Sequence, residues 1–236
     1  MDRDKKLELI RKFFYRKTVQ NLWFKLLSIE VKEHFEILEI GSGSGKGKQN
    51  NDYPKVKKII GIDLDARVLE NPYLDEAHNA NAFALKETIP NKKFDLIYSH
   101  MVAEHIDDGK RFISTQMALL KDDGKLLHST VSKYYWTSLI NDVLPIKLKN
   151  FLIKNLGSGR SAEDIFPAHY KLNSEIDIKN ICDELSLRFE IIRQDEPPGY
   201  LRRSIILMLI YMILHRPLQS IIPSLRPTFI FKVWRG

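Results

Sequence analysis

Apolar positions recur at helical spacing through residues 5 to 28 (Leu7, Ile10 and Phe14, then Val19, Leu22, Trp23 and Leu26), which predicts a leading helix, or two, ahead of the first strand. The pattern then shortens into strand-like apolar runs. Glu36–Ile40 predicts a first strand, and a helix is expected to start after Gly45. Val56–Asp63 predicts a second strand, followed by a short helix near Ala66–Glu70 that stops at Asn71-Pro72. A weak third strand is expected near Ala77–Phe83 and a clearer fourth at Phe94–Ser99. A helix over Gly109–Leu120 should end at Asp122-Asp123-Gly124, with a fifth strand at Lys125–Val131. Ser174-Glu175 caps a helix running to Ser186; Arg188–Arg193 and Thr228–Trp234 complete the set of strands. Strands alternating with helices predict an α/β fold, a doubly wound, mostly parallel sheet of seven strands.

Two stretches fall outside that alternation. Residues 132 to 172 and 196 to 227 flank the sixth-strand unit, are rich in aromatics, Pro and Arg, and are expected to form an α-helical substrate cap. Asp195-Glu196-Pro197-Pro198-Gly199-Tyr200 reads as a rigid turn into it. The whole chain is expected to be one domain, with leading helices over 1–30 and a ligand-binding core over 35–131. Within the cap, residues 202 to 216 carry the unbroken apolar run Ile205–Leu214 between arginines. It is about half of the ~20 residues a membrane-crossing helix needs. Three readings stay open: a buried cap helix, a membrane-surface segment and a dimer contact.

The candidate chemistry begins at Glu39-x-Gly41-x-Gly43-x-Gly45, at the end of the first strand. A P-loop spacing fails, because Ile40 stands where the first glycine belongs and Gly47 follows Gly45-Lys46. The dinucleotide fingerprint fails too, since positions 46 and 48 are lysine. What remains resembles the first motif of the class I S-adenosylmethionine-dependent methyltransferases, (D/E)-x-G-x-G-x-G. Asn79-Ala80-Asn81-Ala82-Phe83-Ala84-Leu85 is similar to that family's adenine-edge motif, with Asn81 in place of aspartate. Phe94 through Ile106, including Ser99-His100-Met101-Val102-Ala103-Glu104-His105, resembles the stretch after strand four in the broad small-molecule group of these enzymes. Phe112 through Leu126 continues the likeness, with Asp122-Asp123 replacing Pro-Gly. The resemblance covers residues 35 to 131 and, more loosely, the last two strands, and it implies a Rossmann-like methyltransferase fold.

The same resemblance implies S-adenosyl-L-methionine as cofactor and a place for each residue. Gly41, Gly43 and Gly45 would let the backbone approach the methionine and ribose, with Glu39 orienting the turn or receiving the ammonium. Asp63, closing the second strand, has two acceptor oxygens for a vicinal diol. Leu64 would cover the adenine, Asn81 and Ala82 would meet its edge, and Ser99 would be a further cofactor contact. His105 is the leading candidate for a general base, with His100 and His169 as alternatives, and His100, His169 and Tyr170 are candidate acceptor contacts. The expected acceptor is a small molecule, a glycan or a lipid-linked group, methylated on oxygen. A nucleic-acid methyltransferase and a non-catalytic cofactor-binding regulatory protein are the alternatives. Glu163 through Ser174 resembles a stretch of bacterial methyltransferases that sit near polysaccharide synthesis, and Tyr134, Tyr135, Trp136 and Tyr170 offer stacking surfaces.

Composition narrows this picture. A chain of 236 residues with 44% hydrophobic content can bury a sizeable core. The net charge of +7 points to an anionic partner, nucleic acid or a membrane surface, but no run of five basic residues occurs. The bland reading is a solvated basic surface, and with no RNA-binding module visible nucleic acid is not the expected partner. The single cysteine, Cys182, excludes a disulfide framework and a four-cysteine zinc site, and its helical context predicts a small core thiol. It also sits wrongly for cytosine C5 methylation. No metal site is expected. Ser99-His100-Met101-Val102 stands where amino-methylating enzymes carry (D/N)-P-P-(Y/F). A charged start, Met1 through Lys6, leads to the expectation of a cytoplasmic protein, peripheral at a membrane if residues 202–216 dock there.

Overall fold

In the computed structural model, residues 19–46, 55–135, 138, 167–194, 209 and 211–236 are described. The elements are α1 (Val19–Glu30), β1 (Glu36–Ile40), β2 (Lys58–Asp63), β3 (Glu76–Asn79), α2 (Leu85–Thr88), β4 (Phe94–His100), α3 (Gly109–Met117) and β5 (Leu120–Val131). They are followed by α4 (Glu175–Glu184), β6 (Leu187–Gln194), α5 (Arg216–Ile221) and β7 (Thr228–Arg235). The strands form one seven-stranded sheet in the order β3-β2-β1-β4-β5-β7-β6. The pairings β2–β1, β3–β2, β1–β4 and β4–β5 are all parallel. Chain order reverses between β1 and β4, so the crevice at their carboxyl ends is a topological switch point, where open α/β sheets bind ligands.

Each face of the sheet buries alternate side chains. Ile37, Ile59, Leu96, Tyr98, Leu127 and Ile230 meet Trp23 and Leu27 of α1. At its carboxyl end α1 is tied down by Glu30, which accepts from Lys232 Nζ (2.6 Å) and Lys125 Nζ (3.1 Å). Burial alone would raise the Glu30 pKa, but the two lysine hydrogen bonds outweigh it and hold the carboxyl below its usual value. The alternate residue His128 lies on the other face, among Phe112 of α3 and Phe231 of β7. Asp108 caps α3 through the Arg111 N–H (2.9 Å), and Ser174 caps α4 through the Asp177 N–H (3.2 Å). Cys182 is buried in α4, and burial, with Asp183 beside it, pushes its thiol up to about 11, as suits an inert core residue.

Three boundaries differ from the sequence expectation. β3 stops at Asn79, because the Asn81 side chain accepts the Phe83 N–H and its carbonyl accepts the Ala84 N–H, turning the chain. α3 ends at Met117, and β5 starts earlier, at Leu120. Register then jumps from Phe94↔Leu120 to Leu96↔Lys125, so the expected turn at Asp122-Asp123-Gly124 is taken up as a bulge inside the strand. The expected helix over residues 5 to 18, the helix after Gly45, most of the first cap segment and residues 196–208 and 210 of the second lie outside the described residues.

By internal packing the chain divides into two compact units. One comprises Met1–Leu22, Val131–Pro167 and Arg193–Phe229; the other comprises Trp23–Thr130, Ala168–Ile192 and Ile230–Gly236 and holds most of the sheet.

At the outer edge of that sheet Glu76 gathers two lysines and a histidine. It accepts from Lys58 Nζ (2.7 Å), from Lys92 Nζ and from His78 Nε2 (2.8 Å). The Lys58 and Lys92 hydrogen bonds pull its carboxyl down to about 2. A carboxylate with a depressed folded-state pKa stabilises above its unfolded value and loses that contribution as pH falls towards the folded one. Glu76 should therefore contribute on the order of 1–2 kcal/mol at neutral pH, after allowance for solvent screening of these partly exposed pairs. We expect Glu76→Gln to lower Tm at pH 7 and to narrow the gap from wild type between pH 4.5 and 2, measured by circular dichroism. A pH-independent gap would show that the carboxylate charge is not the cause.

Candidate active site

Gly41 leaves β1 with φ +77°, its N–H bound to the Ile62 carbonyl (2.7 Å), and Gly43 follows with φ +56°. Side chains other than glycine rarely adopt this left-handed region. The two positions differ in what surrounds them. A Cβ on Gly41 would stand 2.2 Å from Val102 Cγ2, whereas a Cβ on Gly43 would meet nothing within 4 Å. Gly41 is therefore needed for packing, and Gly43 leaves room against the backbone. Gly45 packs beside Asn71 and Tyr73.

Asp63 ends β2 next to this turn. Its Oδ2 accepts the Gly43 N–H (2.8 Å) and its Oδ1 accepts the Asp65 N–H (2.8 Å). One carboxylate thus holds the glycine turn and the start of the next loop together, with a further lone pair on each oxygen remaining. Asn71 braces the turn from below, donating from Nδ2 to the carbonyls of Ser42 (3.3 Å) and Gly43 (3.1 Å), while Ser42 Oγ donates to the Glu39 carbonyl (2.9 Å). Glu39 is buried, in register with Gly61 and Tyr98. Sequence reading took Asn71 only as a helix stop; nothing but its place before Pro72 marked it.

Beyond Asp63 the chain presents Leu64 with 61% of its surface exposed. Asn79 ties this end of β2 to β3 by donating to the carbonyls of Asp63 (3.0 Å) and Leu64 (2.7 Å). Asn81 is exposed, its side-chain oxygen engaged by Phe83, and Ala82 is half-buried beside it. Glu39, Gly41, Gly43, Asp63, Leu64, Asn81 and Ala82 are thus gathered around the carboxyl ends of β1, β2 and β3.

The carboxyl end of β4 distributes its residues by face. Ser99 is fully buried, and its Oγ shares a 2.8 Å hydrogen bond with His128 Nδ1. Burial pushes the His128 imidazole down to about 3, so the ring is neutral at physiological pH. His100, on the opposite face, stacks on Trp23 at 5.1 Å between ring centroids. The Ser99 hydroxyl is thus engaged by His128 and the His100 ring by Trp23. After Met101, which takes a left-handed turn, the chain enters a short 3₁₀ turn over Ala103–His105, where His105 is half-buried.

The post-β4 segment is fixed through Glu104, a residue quoted in the sequence motif without a role. Thr130 Oγ1 donates to Glu104 Oε2 (3.0 Å) and receives Asn173 Nδ2 (2.8 Å). The Glu104 carbonyl accepts the N–H groups of His169 (2.8 Å) and Tyr170 (3.3 Å). That carbonyl brings the backbone of His169 and Tyr170 against the residue preceding His105. Among the described residues no group of three or more His, Cys, Asp or Glu is disposed to hold a metal ion. A cavity of about 580 Å³ lies at the other end of the sheet, lined by His34, Asp95, Lys121 and Lys125, away from the glycine turn.

The seven-stranded, mostly parallel sheet with its glycine turn at the switch point is the fold of the class I S-adenosylmethionine-dependent methyltransferases. A family model described as a methyltransferase domain matches residues 9–188. The chain belongs to that family, whose cofactor is S-adenosylmethionine. A curated relative, malonyl-[acyl-carrier protein] O-methyltransferase 1 of Ilyobacter polytropus, is 30% identical over 105 residues, 42% of this chain and 39% of its own length. The match therefore spans well under half of that relative. Among solved structures, a plantazolicin methyltransferase in complex with a triazolic desmethylPZN analogue and SAH aligns with TM-score 0.53 and 16% identity, over 99% of this chain and 91% of its own. A phosphoethanolamine N-methyltransferase of Haemonchus contortus aligns with TM-score 0.56 and 16% identity, over 99% and 58%. An S-adenosylmethionine-dependent methyltransferase from Clostridium acetobutylicum gives 0.54 and 14%, over 99% and 98%. These likenesses establish the fold.

The glycine pair gives a two-sided test. Gly41→Ala should cost at least about 2 kcal/mol of stability, since left-handed strain adds to the Val102 clash. Gly43→Ala should cost only about 1 kcal/mol yet weaken binding of S-adenosylhomocysteine, because its Cβ enters the open space. Chemical denaturation and calorimetric titration read the two effects; equal behaviour of both variants would refute the distinction.

Proposed function

We propose that the protein transfers a methyl group from S-adenosylmethionine to an oxygen of a small-molecule, glycan or lipid-linked acceptor. The observation that carries this reading is the pairing of Gly43 with Asp63 at the switch point. There, open space against the glycine backbone lies beside a carboxylate with acceptor capacity to spare. Those features fit the cofactor. Gly41, Gly43, Gly45 and Glu39 would hold its methionine and ribose portions, Asp63 the ribose diol, Leu64 an adenine face, and Asn81 with Ala82 the adenine edge. Ser99, bonded to buried His128, is assigned a supporting role beneath the strand ends rather than a direct contact.

When bound, S-adenosylmethionine supplies an already electrophilic methyl sulfonium. The chain then has to align the acceptor and exclude water. For a hydroxyl acceptor, a ring nitrogen of His105 takes the proton as the oxygen attacks, with His169 and Tyr170 as acceptor contacts and His100 held back against Trp23. A carboxylate acceptor would need no base. Oxygen as the methylated atom is supported by the O-methyltransferase among the relatives.

Two substitutions test the assignment. Asp63→Ala should weaken S-adenosylhomocysteine binding at least about tenfold, as loss of a charge-assisted hydrogen bond implies. Tm recorded alongside separates loss of the ribose contact from loss of the Gly43 brace, and unchanged affinity removes the ribose role. Once an acceptor has been found by incubating cell extract with isotopically labelled S-adenosylmethionine, His105→Ala should lower turnover about 100-fold or more while leaving cofactor affinity within about twofold. An unaffected rate eliminates His105 as the base.

A further inference from the structure

The segment after residue 208 has its polarity inside out. Tyr211–His215 forms one π-helical turn that leads directly into α5. Along it Tyr211 (4% exposed) and Gln219 (1%) point inward and hydrogen-bond to each other. His215, midway between them, stacks on Tyr211 and meets Tyr135 edge-on. Gln219 also donates to the Leu225 carbonyl, and Ser132 Oγ donates to the Ser224 carbonyl, so both are bonded within their own unit. The outward side is aliphatic. Ile213, Leu214 and Ile221 are 68%, 67% and 77% exposed, and Leu209, Leu218 and Ile222 join them. Six large aliphatic side chains displayed within fourteen residues, above a buried polar stripe, form a face built to be covered.

Charge identifies what covers it. The unit containing this segment (Met1–Leu22, Val131–Pro167, Arg193–Phe229) carries 17 Lys and Arg against 8 Asp and Glu, a net +9. The other unit carries 20 against 22, a net −2, which accounts for the total of +7. No acidic residue follows Glu196, while Arg202, Arg203, Arg216 and Arg226 flank or interrupt the aliphatic run. Among the described residues no helix is long and apolar enough to cross a membrane. We infer that the aliphatic face from Leu209 to Ile222 docks on an anionic lipid bilayer, with the side chains entering the headgroup and acyl boundary and exposed Arg216 meeting lipid phosphates. Within this apolar run Tyr211, His215 and Gln219 supply the polar side, turned towards the protein instead of water. Docking here stands apart from the reading of the cofactor site.

Flotation with the full chain tests it, using phosphatidylcholine vesicles with and without phosphatidylglycerol. The wild type should float with the anionic vesicles, float less without phosphatidylglycerol, and be released by added salt. The double variant Ile213→Ser/Ile221→Ser changes only exposed side chains and should keep its Tm and its S-adenosylhomocysteine affinity. Its bound fraction should fall at least about tenfold. Wild type that stays unbound, variant and wild type that float alike, or binding indifferent to phosphatidylglycerol would each overturn the proposal. So would a dimer, seen by sedimentation velocity and lost in the variant, without vesicle binding. Because cofactor affinity is read on the same samples, failure of docking and failure of the methyltransferase reading are distinguishable.

Discussion

The hydrogen bond from the Gly43 N–H to Asp63 is the contact on which the rest of the site depends. Parallel pairing aligns Ile40 with Ile62 and so brings the ends of β1 and β2 level, but pairing alone does not shape the turn that follows. A left-handed turn exposes backbone N–H groups, and a carboxylate at the neighbouring strand end is the group that can hold them in one direction. Asp63 does this with one oxygen and fixes the next loop with the other. Asn71 secures the Ser42 and Gly43 carbonyls of the same turn. The geometry that would admit a cofactor is therefore present as a packed, hydrogen-bonded unit.

A second polar unit fixes the other side of the strand ends. Glu104 uses its carboxylate to bind Thr130, and its main-chain carbonyl to hold the approach to α4 through His169 and Tyr170. The Asn173 bond to Thr130 closes the set. These groups are buried, so each missing partner would leave a desolvated polar atom at a cost of about 1–3 kcal/mol. The segment carrying His105 is thus tied to β5 and to the chain before α4 rather than left as a loose loop. Buried, neutral His128 underlies the same region and adds no charge to it.

The sheet was legible in the sequence because its signal is local: each strand is a short apolar run, and the helices between them repeat at their own period. The glycine turn and Asp63 were legible for the same reason. What sequence did not reveal are bonds set by register between distant segments. Ser99 reads as an open strand-end hydroxyl until its pairing with His128, twenty-nine positions on, is known. His100 reads as a site histidine until strand alternation puts its ring on Trp23. Asn81 reads as a strand-end ligand, and the local bond to Phe83 places it in a turn. The bulge in β5 was missed because Asp-Asp-Gly carries a turn signal whether or not the strand continues through it.

Charge shows the same difference between a list of residues and a fold. Spread along the sequence, +7 reads as a solvated basic surface. Sorted by the two compact units, it becomes a near-neutral unit and a strongly basic one. In the near-neutral unit several of the described carboxylates meet lysines in structural roles. Glu30 anchors α1, Glu76 gathers Lys58 and Lys92 at the sheet edge, and Asp95 takes both the Glu36 N–H and Lys121. Such pairs hold the fold without leaving a net field to attract a partner. The basic unit keeps an excess of nine positive charges on the same part of the chain as its exposed aliphatic face. Excess charge and exposed apolar surface each lower the stability of a unit left in water. Their coincidence is physically economical only if one partner, anionic at its surface and apolar beneath, relieves both.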